Sequence, residues 1–188
     1  MERQQAPSLS GIAPDHIARY GFAERTIPWS VSVLDLACGC GYGSQILSDK
    51  GRKVTGIDIE KEAIEYAKAH YPGPTYEVGK AEEVTGEYDF AVSFETIEHL
   101  EKPSLFLERL KAKHLIASVP NEVWYPFKPD QFSTDKYPHR RHYTPEQFEE
   151  LLASCGYMVE ERHCQVTKQV WPVCHGTDGA FLIYVCSR

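Results

Sequence analysis

Two clusters of side chains in this sequence have the types and spacing to do chemistry. The first is a turn, Ala37-Cys38-Gly39-Cys40-Gly41-Tyr42-Gly43-Ser44, that follows an apolar run at residues 33–36. Glycines at 39, 41 and 43 let the backbone adopt positive φ and come close to a ligand, and the N–H groups of a helix start would face whatever sits above the turn. Asp58 closes the next apolar run nineteen residues beyond Gly39, the spacing of an acid that binds the two vicinal hydroxyls of a ribose. Asp35 stands just before the glycines, where it would repel a pyrophosphate and attract a cationic amino-acid group, so the charge favours S-adenosylmethionine over a nicotinamide dinucleotide. The second cluster, Glu95, Glu98 and His99, comes directly after the apolar run at residues 88–94. Positions i, i+3 and i+4 of a helix share a face, so these three converge on one point. His99 is placed to act as a general base with Glu98 orienting its ring, while Glu95 caps the helix and touches the cofactor.

The elements that must carry these clusters alternate. Apolar runs at 33–36, 54–59, 75–78, 88–94 and 114–119 read as strands, and helical patterns follow at 42–50, 60–68 and 105–110. Strands alternating with helices imply a parallel sheet whose carboxyl ends bind ligand, which is where both clusters fall. A last helix opens with Thr144 as N-cap, Pro145 at the first position and Gln147 completing a capping box, and Gly156 stops it. Two further strands are expected at 157–162 and 180–185. The expected architecture is α/β: a Rossmann-like, doubly wound, mostly parallel seven-stranded sheet with helices on both faces and an antiparallel edge strand. Residues 1–10 read as a frayed tail, residues 16–23 as a helix lying across the site entrance or packed on the sheet. Residues 122–142 hold Trp124, Tyr125, Phe127, Phe132 and Tyr137 among prolines; a loop this long is usually functional, and it is assigned to the acceptor side. The excursion from Trp171 to Gly176 carries no readable pattern.

Composition narrows the class. The chain has 188 residues, 42% hydrophobic and 25% charged, enough for one domain (1–188, with a helical lid at 1–30) that buries about 70% of its unfolded surface. No run approaches the ~20 apolar residues of a membrane span, and no apolar signal core follows the first residues, so a cytoplasmic protein is expected. A net charge of −7 argues against broad affinity for nucleic acid. The six cysteines are scattered; Cys38 and Cys40 lack a second pair at zinc-finger spacing and read as small residues in a tight turn.

The string Asp35-Leu36-Ala37-Cys38-Gly39-Cys40-Gly41-Tyr42-Gly43-Ser44 resembles the first motif of the Rossmann-like (class I) S-adenosylmethionine-dependent methyltransferases, and residues 54–67 resemble their second. The resemblance implies S-adenosylmethionine as cofactor, S-adenosylhomocysteine as product, and a cofactor set of Ala37, Gly39, Gly41 and Tyr42 in the turn, Asp58 and Ile59 after the second strand, and Phe94 and Glu95 after the fourth. It adds Arg19 or Tyr20, from His16-Ile17-Ala18-Arg19-Tyr20, at the methionine carboxylate, and the backbone of Ala81 at the adenine ring. It also implies that the strands at 157–162 and 180–185 pair antiparallel at the sheet edge. Relatives often read G-D-A-E in that last loop. Here Lys80 replaces the Asp, and a lysine cannot accept from the adenine amino group, which leaves Glu82 as a substitute.

The Glu95–His99 segment resembles O-directed branches of this family. In RNA 3′-terminal 2′-O-methyltransferases such a segment and a later histidine hold a divalent cation, and His139 falls at the later position, giving a metal set of Glu95, Glu98, His99 and His139. Quinone-biosynthetic O-methyltransferases carry a similar segment. Bacterial and phage glycan-associated methyltransferases resemble the chain over its greatest length, including Val119-Pro120-Asn121 and the 139–148 stretch. The catalytic candidates are therefore His99, Glu98 and His139. The expected activity is O-methylation of a sugar, glycan or small metabolite, with an RNA 3′ end and a non-catalytic cofactor-binding protein as the alternatives. The implied partners are a small-molecule or glycan acceptor and, beyond an RNA end, no nucleic acid.

Overall fold

The computed structural model describes residues 5–132, 136–167 and 172–188. Eight strands, β1 (Ser32–Leu36), β2 (Lys53–Asp58), β3 (Thr75–Val78), β4 (Tyr88–Phe94), β5 (Ala112–Pro120), β6 (Met158–Gln165), β7 (Val173–His175) and β8 (Phe181–Ser187), form one sheet in the order β3-β2-β1-β4-β5-β8-β6-β7. The first five are mutually parallel; β8 runs antiparallel to β5, β6 to β8 and β7 to β6. The sheet thus has one strand more than the seven expected. The extra one is β7, three residues held to β6 by pairing Cys164 with Cys174, too short to show a period in the sequence. Trp171 and the side chain of Phe132 lie outside the described residues.

Period-two alternation divides the core between the two faces. Leu34, Leu36, Ala91, Leu115 and Ala117 meet Phe106 and Leu107 of α4 (Pro103–Arg109) and Phe148 and Leu152 of α6 (Pro145–Ser154). Val33, Val92 and Ile116 point the other way, to Tyr20 and Ala23 of α1 (Pro14–Thr26), Leu47 of α2 (Tyr42–Leu47) and Ile64 and Ala67 of α3 (Lys61–His70). A further helix, α5, covers Pro129–Phe132. The capping box at α6 forms as the sequence requires: Thr144 Oγ1 accepts from Gln147 N at 3.3 Å and Gln147 Oε1 from Thr144 N at 3.0 Å.

Of the frayed tail expected over residues 1–10, residues 1–4 lie outside the described residues and the part from Ala6 onward departs from the expectation. Ala6 is buried, its carbonyl accepts from the Tyr71 hydroxyl at 2.6 Å, and residues Leu9–Gly11 form a 3-10 turn. Among the described residues, no helix is long and apolar enough to cross a membrane.

Candidate functional site

The turn after β1 is built from left-handed backbone. Ala37, Gly39 and Gly41 have φ of 54°, 56° and 88°, so the chain reverses within five residues and Gly41 becomes the N-cap of α2. Gly41 has a second reason to be glycine: a Cβ there would lie 2.6 Å from Ala67 Cβ. Gly43 corrects the expectation of positive φ at all three glycines. It sits inside α2, and its Cβ would stand 2.0 Å from Cζ of Tyr20, so it is small to admit that ring.

Asp58 ties the turn to the next unit. Its Oδ2 accepts from Gly39 N at 2.8 Å and its Oδ1 from Glu60 N at 2.9 Å, with the side chain at the carboxyl end of β2. Asp35, expected to face a cationic ligand group, is instead fully buried behind the turn. Its carboxyl accepts from Ser44 Oγ at 2.6 Å and Tyr20 Oη at 3.0 Å. Burial pushes it up to about 7, against those two hydrogen bonds. The same burial holds the Tyr20 hydroxyl well above its ordinary range, so it remains a donor.

A cavity of about 720 Å³ opens above these strand ends, a size typical of small-molecule sites. Of the residues expected at a cofactor, Arg19, Tyr20, Ala37, Gly39, Tyr42, Asp58, Ile59, Ala81, Glu82, Phe94 and Glu95 line it. Asp35, which is fully buried, and Gly41 do not line it. Lys80, at the departure from the family pattern, also reaches the wall and pairs with Glu83 at 3.2 Å. The sequence did not single out His16 or Lys136, which line the cavity together with Tyr137 from the segment assigned to the acceptor side. His16 was legible: it shares a helix face with Arg19 and Tyr20, and its Nδ1 is hydrogen-bonded to the Tyr42 hydroxyl at 2.7 Å. Lys136 and Tyr137 cross the mouth of the cavity and both donate to Glu60 Oε1, a contact spanning more than seventy residues.

The turn after β4 is not the helix that the spacing predicts. Glu95 has a left-handed φ of 50° and only Ile97–His99 form a 3-10 turn, so the i, i+3, i+4 convergence fails for Glu95. Its Oε1 accepts from Ser118 Oγ at 2.7 Å and pairs with Arg19 Nη1 at 3.0 Å. Arg19 is itself buried, pairs with Asp15 at 3.5 Å and stacks over Phe181. Glu95 therefore leaves the expected metal set, while Glu98, His99 and His139 each offer a ligand atom within 4.8 Å of the others.

That trio has an unusual electrostatic state. Glu98 is fully buried and neither carboxyl oxygen has a hydrogen-bond partner, a costly condition for any carboxyl and more so for an ionised one. Burial, reinforced by the Glu95 carboxylate, drives its carboxyl well above the ordinary range. His99 Nε2 is 3.7 Å from Glu98 Oε1, and its Nδ1 lies 3.2 Å from the carbonyl of Pro138. A carbonyl only accepts, so Nδ1 carries the proton and Nε2 the lone pair. Burial lowers the pKa of this ring, keeping it neutral at pH 7. His99 reaches the cavity wall; Glu98 and His139 are buried and do not line it.

The segment after residue 135 grips this turn. Arg140 N donates to Glu98 O at 2.9 Å and Arg140 Nε to His99 O at 3.1 Å. The His139 and His99 rings meet edge-on with centroids 4.6 Å apart. Behind them lies His142, absent from the sequence reading, its Nε2 2.8 Å from His139 Nδ1. Asn121, in the stretch that follows β5, is buried in structural work: it donates to Gly179 O at 2.8 Å and accepts from Val123 N at 3.1 Å.

Residues 34–112 match the family model described as a methyltransferase domain. A probable S-adenosylmethionine-dependent methyltransferase from Mycolicibacterium smegmatis is 28% identical over 137 residues, covering 69% of this chain and 52% of that protein. The mitochondrial ubiquinone biosynthesis O-methyltransferase of Saccharomyces cerevisiae is 36% identical over 86 residues, 41% of this chain and 28% of that one. The chain spans about half the length of the mycobacterial relatives it matches. Among solved structures, a SAM-dependent methyltransferase from Thermotoga maritima superposes with a TM-score of 0.74 at 18% identity, covering 92% of this chain and 88% of that one.

Proposed function

We propose that this chain, which carries a methyltransferase domain on the Rossmann-like class I fold, binds S-adenosylmethionine across the turn after β1 and transfers its methyl group to a hydroxyl of a sugar, glycan or small metabolite. The observation that carries the oxygen-directed reading is His99: a neutral imidazole on the cavity wall with its lone pair on Nε2. In the transfer, the acceptor oxygen forms a bond to the methyl carbon as the carbon–sulfur bond breaks, the electron pair returns to sulfur, and the hydroxyl proton passes to His99 Nε2. Asp58 holds the ribose hydroxyls, and Glu82 with the Ala81 backbone serves the adenine. Arg19, Tyr20, His16 and Tyr42 surround the methionine end. The yeast relative, named for O-methylation in ubiquinone biosynthesis, supports oxygen as acceptor atom. The net charge of −7 speaks against an RNA end.

One observation favours a second mechanism. The two oxygens of Glu98 without partners, beside His99 and His139, suit a divalent cation of the Mn, Fe or Zn type. Bound by those three residues, it would supply a lowered pKa for the acceptor hydroxyl.

Calorimetry with S-adenosylmethionine and S-adenosylhomocysteine tests the reading. Wild type should bind both, and Asp58→Ala should bind about 10- to 100-fold more weakly, the loss expected for charged hydrogen bonds to a ribose. Wild type that binds neither sinks the proposal, and binding without methyl transfer to any hydroxyl acceptor would favour a non-catalytic binding protein. A heat with MnCl2 that Glu98→Gln abolishes selects the cation mechanism.

A further inference from the structure

Behind the Glu98–His99–His139 cluster runs a chain of hydrogen bonds that ends on the backbone. His142 has a fully buried side chain. Its Nδ1 lies 2.6 Å from the carbonyl oxygen of Tyr125, and the Glu122 carboxylate stands 4.0 Å from the same nitrogen. Both neighbours accept, so Nδ1 of His142 carries the proton, and in the neutral ring Nε2 carries the lone pair. That Nε2 is 2.8 Å from Nδ1 of His139. The bond then needs a proton on His139 Nδ1, which leaves the lone pair of His139 on its Nε2.

We propose that His142 is a positioning residue that fixes the tautomer of His139, so that the nitrogen His139 offers to Glu98 and His99 is an unprotonated Nε2. The inference rests on the reading that this cluster handles the acceptor hydroxyl. It explains why the relay is so firmly built. Tyr125 N donates to Asn121 O at 2.7 Å, Asn121 is anchored to the loop before β8, and the rings of Tyr125 and Phe127 pack against His142 at 5.1 and 5.4 Å. Asn121 thereby holds the carbonyl that orients His142, which in turn orients His139. His99 reaches the same state by a shorter route, through Pro138 O. Both imidazoles bear their ring proton on Nδ1, directed at an acceptor outside the cluster, an arrangement that fixes ring orientation and raises the basicity of the inward nitrogen.

The test is imidazole nitrogen NMR on the cation-free protein, with His139 assigned by loss of its signals in His139→Gln. Wild type should show His139 protonated on Nδ1. In His142→Gln the amide can donate to Tyr125 O and accept from His139, so the tautomer should persist; in His142→Phe it should collapse to a mixture or to Nε2–H. Titration with MnCl2 gives a second readout, with affinity kept within about 3-fold in His142→Gln and lost by about 10-fold or more in His142→Phe. Wild type with His139 protonated on Nε2 overturns the proposal, as does a folded His142→Phe protein with unchanged tautomer. If wild type binds no Mn while the tautomers behave as expected, the cation mechanism fails and the role of His142 stands. Should His142→Phe not fold, the wild-type spectrum and His142→Gln still decide.

Discussion

The turns after β1 and β4 are neighbours, since their strands pair from Val33 with Phe90 to Leu36 with Ser93, yet they are built in opposite ways. Around the turn after β1 the acids of β1 and β2 are satisfied within the fold: Asp58 by two backbone N–H groups, Asp35 by Ser44 and Tyr20. After β4, Glu98 is buried with both oxygens unmatched. The first turn is rigid because it is complete, and a ligand finds it ready. The second holds an unmet hydrogen-bonding demand, kept in place by residues 138–142, and the proposed function puts that demand to use.

The strongest way to break this contrast is Gly43→Ala. A Cβ 2.0 Å from the Tyr20 ring must push that ring away from Asp35, and overpacking of this kind costs about 3 kcal/mol. Urea unfolding should show that loss, accompanied by weakened cofactor binding. An unchanged midpoint would mean that the turn is less complete than its contacts imply.

Glu98→Gln sharpens the other side. The folded pKa of Glu98 lies above its unfolded value of 4.5, so the native state binds more protons than the unfolded one as pH rises past that value. Stability contributed by Glu98 is therefore greatest in acid and declines upward from about pH 4.5, by at most about 1.4 kcal/mol per pH unit. Asp35, raised to about 7, contributes the same sign over its own range, and the difference between variant and wild type isolates Glu98. In EDTA, Glu98→Gln should gain on wild type as pH rises above about 4.5, the unfolded value. A gap that does not change with pH would show that the carboxyl has found a partner.

The smallest effect is expected at the mouth of the cavity. Lys136 and Tyr137 reach Glu60 from exposed positions, and pairs of that kind contribute about 0–1 kcal/mol. Glu60→Gln should speed cofactor dissociation by about 2- to 5-fold in stopped-flow, with little change in thermal midpoint. A hundredfold change would place the contact among the determinants of binding.

Local patterns in the chain made much of this readable. The alternation of Val33 with Leu34 and of Leu115 with Ile116, the capping box at Thr144 and the glycine turn each depend on residues within a few positions, because strand pleat, helix end and left-handed backbone are short-range properties. The edge strand β7 was hidden because three residues carry no period. The reach of Lys136 to Glu60 is a pairing between distant segments that no local spacing encodes.

The acidic-histidine cluster divides most clearly. Residue order alone puts an acid and a histidine at the carboxyl end of β4, beside a cofactor-type turn, with a second histidine available from the insertion. Packing settled the rest: Glu95 turns away to Arg19, the Glu98 carboxyl is left without a hydrogen-bond partner, and His142 stands behind His139. The physical reason is that a left-handed residue at 95 breaks the helical face assumed from spacing. The protonation pattern of a histidine is likewise set by whichever backbone carbonyl packing brings to its far nitrogen, here one from Tyr125 and one from Pro138.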